Sequence, residues 1–264
     1  LSVPLPALLD GSAAQLIQEA DADGVMVDLK TDQGALGWHS QQALASALQE
    51  GVEPDAENAA LAAWTQGDTY TAARLSCFRD EALGSNMSYT LRTSSGLRWR
   101  DNEEFHWATP SNQAVRDYLI GLMTQLAQLG FDEIVLDHWG YPAQADGPLS
   151  NLQRSESNYP EGSLDSVITD FLAQATQALA PYGTRLSLCA SQEVLTGADP
   201  STGLTTAALN ANVDRIWVSG VREEALSALE EAGVERAEER LVSLTAQLDP
   251  DAAAPQAVWP LELP

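Results

Sequence analysis

Eight short apolar runs, each able to form a strand, alternate with helix-like stretches along the 264 residues of the chain. The runs lie at 2–9, 24–30, 69–78, 134–136, 185–190, 213–218, 241–245 and 257–261. Such alternation builds parallel β/α units, because a strand can meet a parallel neighbour only through a crossover, usually a helix. Eight units in about 250 residues are what a closed barrel takes. The fold class expected is α/β: a single (β/α)8 TIM barrel spanning 1–264, with no composition break to mark a second domain.

The clearest helix follows Pro110 and Ser111, where Val115, Leu119, Leu122, Met123, Leu126 and Leu129 recur at three-four spacing until Gly130 stops it. Further helices are expected over 13–20, 40–50, 55–66, 164–180 and 222–232. Pro4 and Pro6 weaken the first strand. The third strand is followed by a long loop, residues 79–110, without helical periodicity. Within it, 88–100 can fold as a hairpin turning at Ser94-Ser95-Gly96. Loops of this length are usually functional.

On a barrel, the C-terminal ends of the strands converge on one mouth. Strand two delivers Asp28, Lys30 and Asp32 there. Strand three delivers Arg74 and Asp80, and strand four delivers Asp137, His138 and Trp139. Strand five offers Gln192 and Glu193, strand six Trp217, and strand eight Trp259 and Glu262. Cleavage of a glycosidic bond needs two carboxyl groups, one protonated and one ionised. Asp137 is the expected nucleophile or charge stabiliser. Glu193 is the expected proton donor, with Asp28 next in line. Lys30, Arg74 and His138 are supporting groups, and Trp107, Trp139, Trp217 and Trp259 are candidate platforms for sugar rings. Each has a plainer reading. A strand-end Asp often only caps a helix. Lys30, the only lysine, can be the ion-pair partner of Asp28 or Asp32, and Arg74 that of Asp28.

The net charge is −25, from 13 basic and 38 acidic residues. Such a surface repels phosphate backbones and anionic lipid, so nucleic acid is a poor partner while neutral sugars are unaffected. No apolar run reaches the roughly 18 residues of a membrane span. Cys77 and Cys189 each lie in a strand-like run and read as buried free thiols, although neighbouring strands could pair them. No Cys/His pattern suggests a metal, and no cofactor is expected. A barrel acting on a phosphorylated metabolite is disfavoured by the charge and by the lack of a glycine-rich loop near strands seven and eight.

Residues 130–142, Gly-Phe-Asp-Glu-Ile-Val-Leu-Asp-His-Trp-Gly-Tyr-Pro, resemble the hallmark G-F-D-E-I-x-x-D-Y-x-R-F-P of a bacterial glycoside hydrolase domain family. Residues 27–34 resemble its I-D-x-K-D-x-x-G segment, residues 73–80 its A-R-x-x-x-F-K-D segment, and Trp107 to Pro110 with Tyr118 the lead-in to its long helix. The resemblance covers about residues 1–220. It implies a TIM barrel distantly like the alpha-amylase type, where an aspartate ends strand four and a glutamate strand five, matching Asp137 and Glu193. It implies a carbohydrate substrate, specifically a complex or cell-envelope polysaccharide, and a secreted or surface-attached setting. The hallmark arginine is absent here, the tail reading Asp137-His138-Trp139-Gly140-Tyr141-Pro142. That departure keeps open a rival: a glycan-binding or envelope scaffold protein on a barrel that no longer cuts.

Overall fold

A computed structural model of the chain describes residues 1–48, 54–249, 251–252 and 254–258. Its strands are β1 (Ser2–Val3), β2 (Gly24–Lys30), β3 (Tyr70–Ser76), β4 (Glu133–Asp137), β5 (Arg185–Cys189), β6 (Arg215–Ser219), β7 (Leu241–Thr245) and β8 (Gln256–Val258). All pair in parallel, each with its neighbour in sequence, in one sheet ordered β1 to β8. The helices are α1 (Leu5–Leu9), α2 (Ala13–Ala20), α3 (Pro54–Thr65), α4 (Glu81–Gly84), α5 (Gln113–Leu129), α6 (Leu164–Leu179), α7 (Gln192–Leu195), α8 (Thr206–Asn212), α9 (Arg222–Glu231) and α10 (Ala237–Arg240). The fold is a (β/α)8 TIM barrel.

Alternation along each strand divides the apolar residues into two sets. Val25, Val27 and Leu29 of β2 join Ala73, Leu75, Ile134, Leu136 and the helix faces in the layer between sheet and helices. Met26, Ala72, Val135, Trp217, Val242, Leu244 and Ala257 form a second cluster, the apolar belt inside the barrel. The inward parity continues upward from this belt to Asp28, Arg74 and Asp137. Register fixes their spacing: Asp28 stands beside Arg74, and Ser76 beside Asp137. A register shift between Asp28 and Lys30 then swings Lys30 out of the mouth, so that it pairs in register with Leu75.

Below the belt, the fully buried Glu133 carboxylate closes the other end of the barrel. It accepts from Ser187 Oγ (2.5 Å), Trp217 Nε1 (2.8 Å), Tyr70 OH (2.7 Å) and Arg215 NH1 (3.1 Å). A buried carboxylate survives only with this density of donors.

Three expectations shift. The first strand is cut to two residues, because Pro4 and Pro6 start α1 with a ready-set φ. The long helix begins at Gln113, capped by the Asn112 side chain, which accepts from the amides of Ala114 and Val115. It ends, as expected, at Gly130, whose φ of 101° suits only glycine. The last strand stops within the described residues at Val258, and Trp259 and Glu262 lie outside them. Cys77 and Cys189 are both free.

The loop after β3 is ordered by its own hydrogen bonds. Thr93 N donates to Leu97 O (2.8 Å) and Trp99 N to Leu91 O (2.8 Å), giving the expected hairpin with Gly96 in its turn. A second turn of the same span runs from Asp101 to Phe105, and Ala108 N returns to Phe78 O at 2.8 Å.

Candidate active site

Arg74 organises the mouth. It stands on β3, between the ends of β2 and β4, and its planar guanidinium grips a carboxylate on either side. NH1 donates to Asp28 Oδ2 at 2.8 Å, and NH2 to Asp137 Oδ2 at 2.7 Å, with Nε adding a contact at 3.2 Å. Two hydrogen bonds and the guanidinium between them keep the two carboxylates within about 8 Å of each other. Asp28 is about one-third exposed (34%) and Asp137 about one-fifth (19%), so both border the mouth.

A third acid, Asp32, follows β2. Its Oδ1 lies 3.5 Å from Arg74 NH2, and its Oδ2 accepts from Arg79 NH1 at 3.0 Å. Arg79 spends its other nitrogens on Asp101 Oδ2 (2.8 Å) and Glu103 Oε2 (2.6 Å) and lies over the Phe105 ring, tying the long loop to the rim. His138 Nδ1 is 3.7 Å from both Asp32 Oδ1 and Asp137 Oδ1 and 3.3 Å from Ser76 Oγ. Its backbone is left-handed, with φ 47°, and its amide donates to Asp137 Oδ1 at 2.9 Å. A non-glycine residue held there stores about 1–3 kcal/mol of strain, a cost that clusters at functional sites.

The surroundings push these acids apart. Burial raises the Asp28 carboxyl to about 6; Arg74 opposes the rise, while the charges of Asp32 and Asp137 add to it. Burial also acts on Asp137, but His138 and the Arg74 guanidinium overcome it and hold that carboxyl below the ordinary carboxylate range. Asp32 is likewise held low, burial being outweighed by His138, the Ser76 hydroxyl and both arginines. One carboxyl that holds its proton up to about pH 6 beside one that gives it up below the ordinary range is the division of labour acid–base chemistry requires. Asp28 Oδ1 and Asp32 Oδ1 are buried without a hydrogen bond among the described residues.

Of the residues expected at the site, Asp28, Arg74, Asp137 and His138 come together. Lys30 does not face the mouth. It is fully buried behind the bulge, 2.7 Å from Asp80 Oδ2 and donating to Ser76 O at 2.6 Å, which leaves it no surface for a substrate. Nor do Trp107, Trp139 and Trp217, the described tryptophans among the expected platforms, offer open faces. Trp107 is 1% exposed and bonded to Asp101, Trp139 is 3% exposed and donates to Cys189 O, and Trp217 lies in the barrel with its indole N–H on Glu133. Their size makes them packing material for a rim that needs a rigid floor. Glu193 is exposed in the first turn of α7, and among the described residues its carboxylate makes no hydrogen bond or ion pair. Arg79 and Asp101 were not singled out from sequence. Their signal was the long loop itself, whose charges had no other evident use.

The family model described as a putative glycosyl hydrolase domain matches residues 8–218. The chain belongs to this family. The glycosyl hydrolase family match spans Asp28, Asp32, Arg74, Arg79 and Asp137. Solved structures agree on the barrel. A hypothetical protein from Ruminiclostridium thermocellum shares 24% identity over 71% of this chain and 96% of that one, with TM-score 0.57. The PgaB (BpsB) glycoside hydrolase domain from Bordetella bronchiseptica gives TM-score 0.59 at 10% identity, covering 92% of this chain and 82% of that one. A GH20 exo-β-N-acetylglucosaminidase from Vibrio harveyi gives 0.59 at 12%, covering 92% of this chain and 39% of that one. At such identities the likeness speaks for the fold. No curated protein matches the chain.

Proposed function

We propose that this family member hydrolyses glycosidic bonds of a complex or cell-envelope polysaccharide, with Asp28 as proton donor and Asp137 as its ionised partner. The observation that carries this is the acid pair gripped by one guanidinium, one carboxyl shifted up and the other down. The Asp28 proton passes to the glycosidic oxygen as the C1–O bond breaks. Asp137 faces the developing oxocarbenium ion, either bonding to C1 or taking a proton from the attacking water. A separation within about 8 Å admits both courses. In this reading Asp28 takes the donor role expected of Glu193 from sequence, supported by its sharing of Arg74 with Asp137. A polymeric substrate goes with a secreted or envelope-attached protein.

The test is release of reducing ends from a panel of envelope, N-acetylglucosamine-containing and plant polysaccharides. Wild type should cleave one of them, and Asp137→Asn should lose about 10²–10⁴-fold or more in kcat. Equal turnover by both removes Asp137 from the chemistry. Binding without turnover by wild type makes the barrel a glycan-binding module instead.

A further inference from the structure

Asp32 is not an acid of the pair, yet it draws on the pair's own partners. Arg74 NH2 lies 2.7 Å from Asp137 Oδ2 and 3.5 Å from Asp32 Oδ1. His138 Nδ1 is 3.7 Å from each of the same two residues. Arg74 NH1 meanwhile holds Asp28 at 2.8 Å. On its far side Asp32 is anchored by Arg79 NH1 at 3.0 Å. Its backbone carbonyl also accepts from Glu81 N at 2.9 Å, which pins the main chain of Asp32 at the rim.

We propose that Asp32 is a positioning residue that decides which acid of the pair holds the proton, by sharing Arg74 with Asp28 and both Arg74 and His138 with Asp137. The charged and titratable groups facing it are Arg74 from β3, Arg79 from the loop beyond, His138 and Asp137 from the end of β4, and Asp28 from β2. Asp101 and Glu103 hold the outer side of Arg79. A negative charge on this spot repels ionisation of Asp28 and takes up part of the cation that would favour it. Removing the charge returns Arg74 to Asp28. Removing Arg79 does the reverse, since Asp32 must then lean harder on Arg74. The two substitutions should therefore move Asp28 in opposite directions. The catalytic consequence rests on the hydrolase reading; the electrostatic one does not.

The experiment is a carboxyl-carbon NMR titration of Asp28 in the whole chain. From a wild-type midpoint of about 6, Asp32→Asn should lower it by about one unit. Arg79→Gln should raise it, and Asp32→Glu, which keeps the charge, should leave it near the wild-type value. On a cleaved substrate the alkaline limb of kcat/KM should shift with the midpoint. An Asp32 that only braces the rim would cost stability or rate with the midpoint unmoved, and that result overturns the proposal, as does a shift of one sign in both variants. If Asp32→Asn does not fold, the upward shift in Arg79→Gln decides. Midpoints that move as stated in a protein that cleaves no glycan would sink the hydrolase reading and leave this one standing.

Discussion

A carboxyl that titrates near 6 ionises in the middle of the range where enzymes commonly work, and Asp28 is such a group. As proton donor it should give kcat/KM an alkaline limb centred near that value. Asp28→Asn should remove the limb along with about 10²–10⁴-fold of the rate. The same shift bears on stability, and its sign is opposite to that of an ion-paired acid. The folded value lies above the ordinary 3.8. The stabilising preference for neutral Asp28 is complete below pH 3.8 and lost as pH rises through about 6. Above that, the folded protein carries a charge it holds poorly. Asp28→Asn should therefore melt a few degrees higher than wild type at pH 8 and show no such gain near pH 4, a difference readable by calorimetry. Asp137 runs the other way, its contribution present at neutral pH and lost as acid protonates it below the usual carboxylate range. Strand-end position made the meeting of Asp28, Arg74 and Asp137 at the mouth legible. Which acid keeps its proton was not legible, because that depends on a guanidinium reaching sideways between strands and on charges from loops far apart in sequence.

The junction of β2 with α4 shows how an element's ending can be fixed by one buried charge. The bulge after Asp28 turns Lys30 outward into the apolar layer, where its ammonium meets Asp80 Oδ2, while Asp80 Oδ1 caps α4 through Leu83 N at 2.8 Å. Both side chains have no exposed surface. Lys30→Met would leave the Asp80 charge buried and unpaired, and should cost about 3–5 kcal/mol in denaturant unfolding. Adding Asp80→Asn removes the stranded charge and keeps a capping side chain, so the double variant should recover much of that loss. Additive losses would show that the pair is not coupled. The elements most easily read from sequence are β2, a continuous apolar run buried on both faces, and α5 and α6, whose period buries one face. The short pieces, α7, α8 and α10, carry too few residues for a period to register. The bulge at Lys30 leaves no mark either, since Val-Asp-Leu-Lys reads as unbroken strand. Lys30 was expected at the mouth, with an ion pair to Asp28 or Asp32 as its plainer reading, and one residue of slipped register gave it Asp80 instead.

Across the whole molecule, basic residues are outnumbered 13 to 38, and many of them are spent indoors. Arg74 and Arg79 serve the mouth, Arg215 donates to Glu133, and Arg240 is buried against the carbonyls of Leu209 and Val213. The surface is left with an excess of carboxylates that repel one another more in the compact barrel than in an extended chain. At 0.01 M salt their fields reach about 30 Å, a large part of the barrel's width, and at 0.1 M only about 10 Å. Raising NaCl from 0.01 M to 0.5 M should accordingly raise the melting temperature at pH 7–8. The effect should fade toward pH 4, where the surface acids take up protons. The interior pairs respond differently, since Arg74 and Lys30 are shielded from solvent ions and lose little to screening. A melting temperature that fell with salt would mean that exposed pairs such as Arg236–Glu239, at 2.9 Å, outweigh the general repulsion. Measured values of about 0–1 kcal/mol for surface pairs argue against that, so the sign of the salt dependence tests whether the charge of the chain or its individual bridges governs its stability.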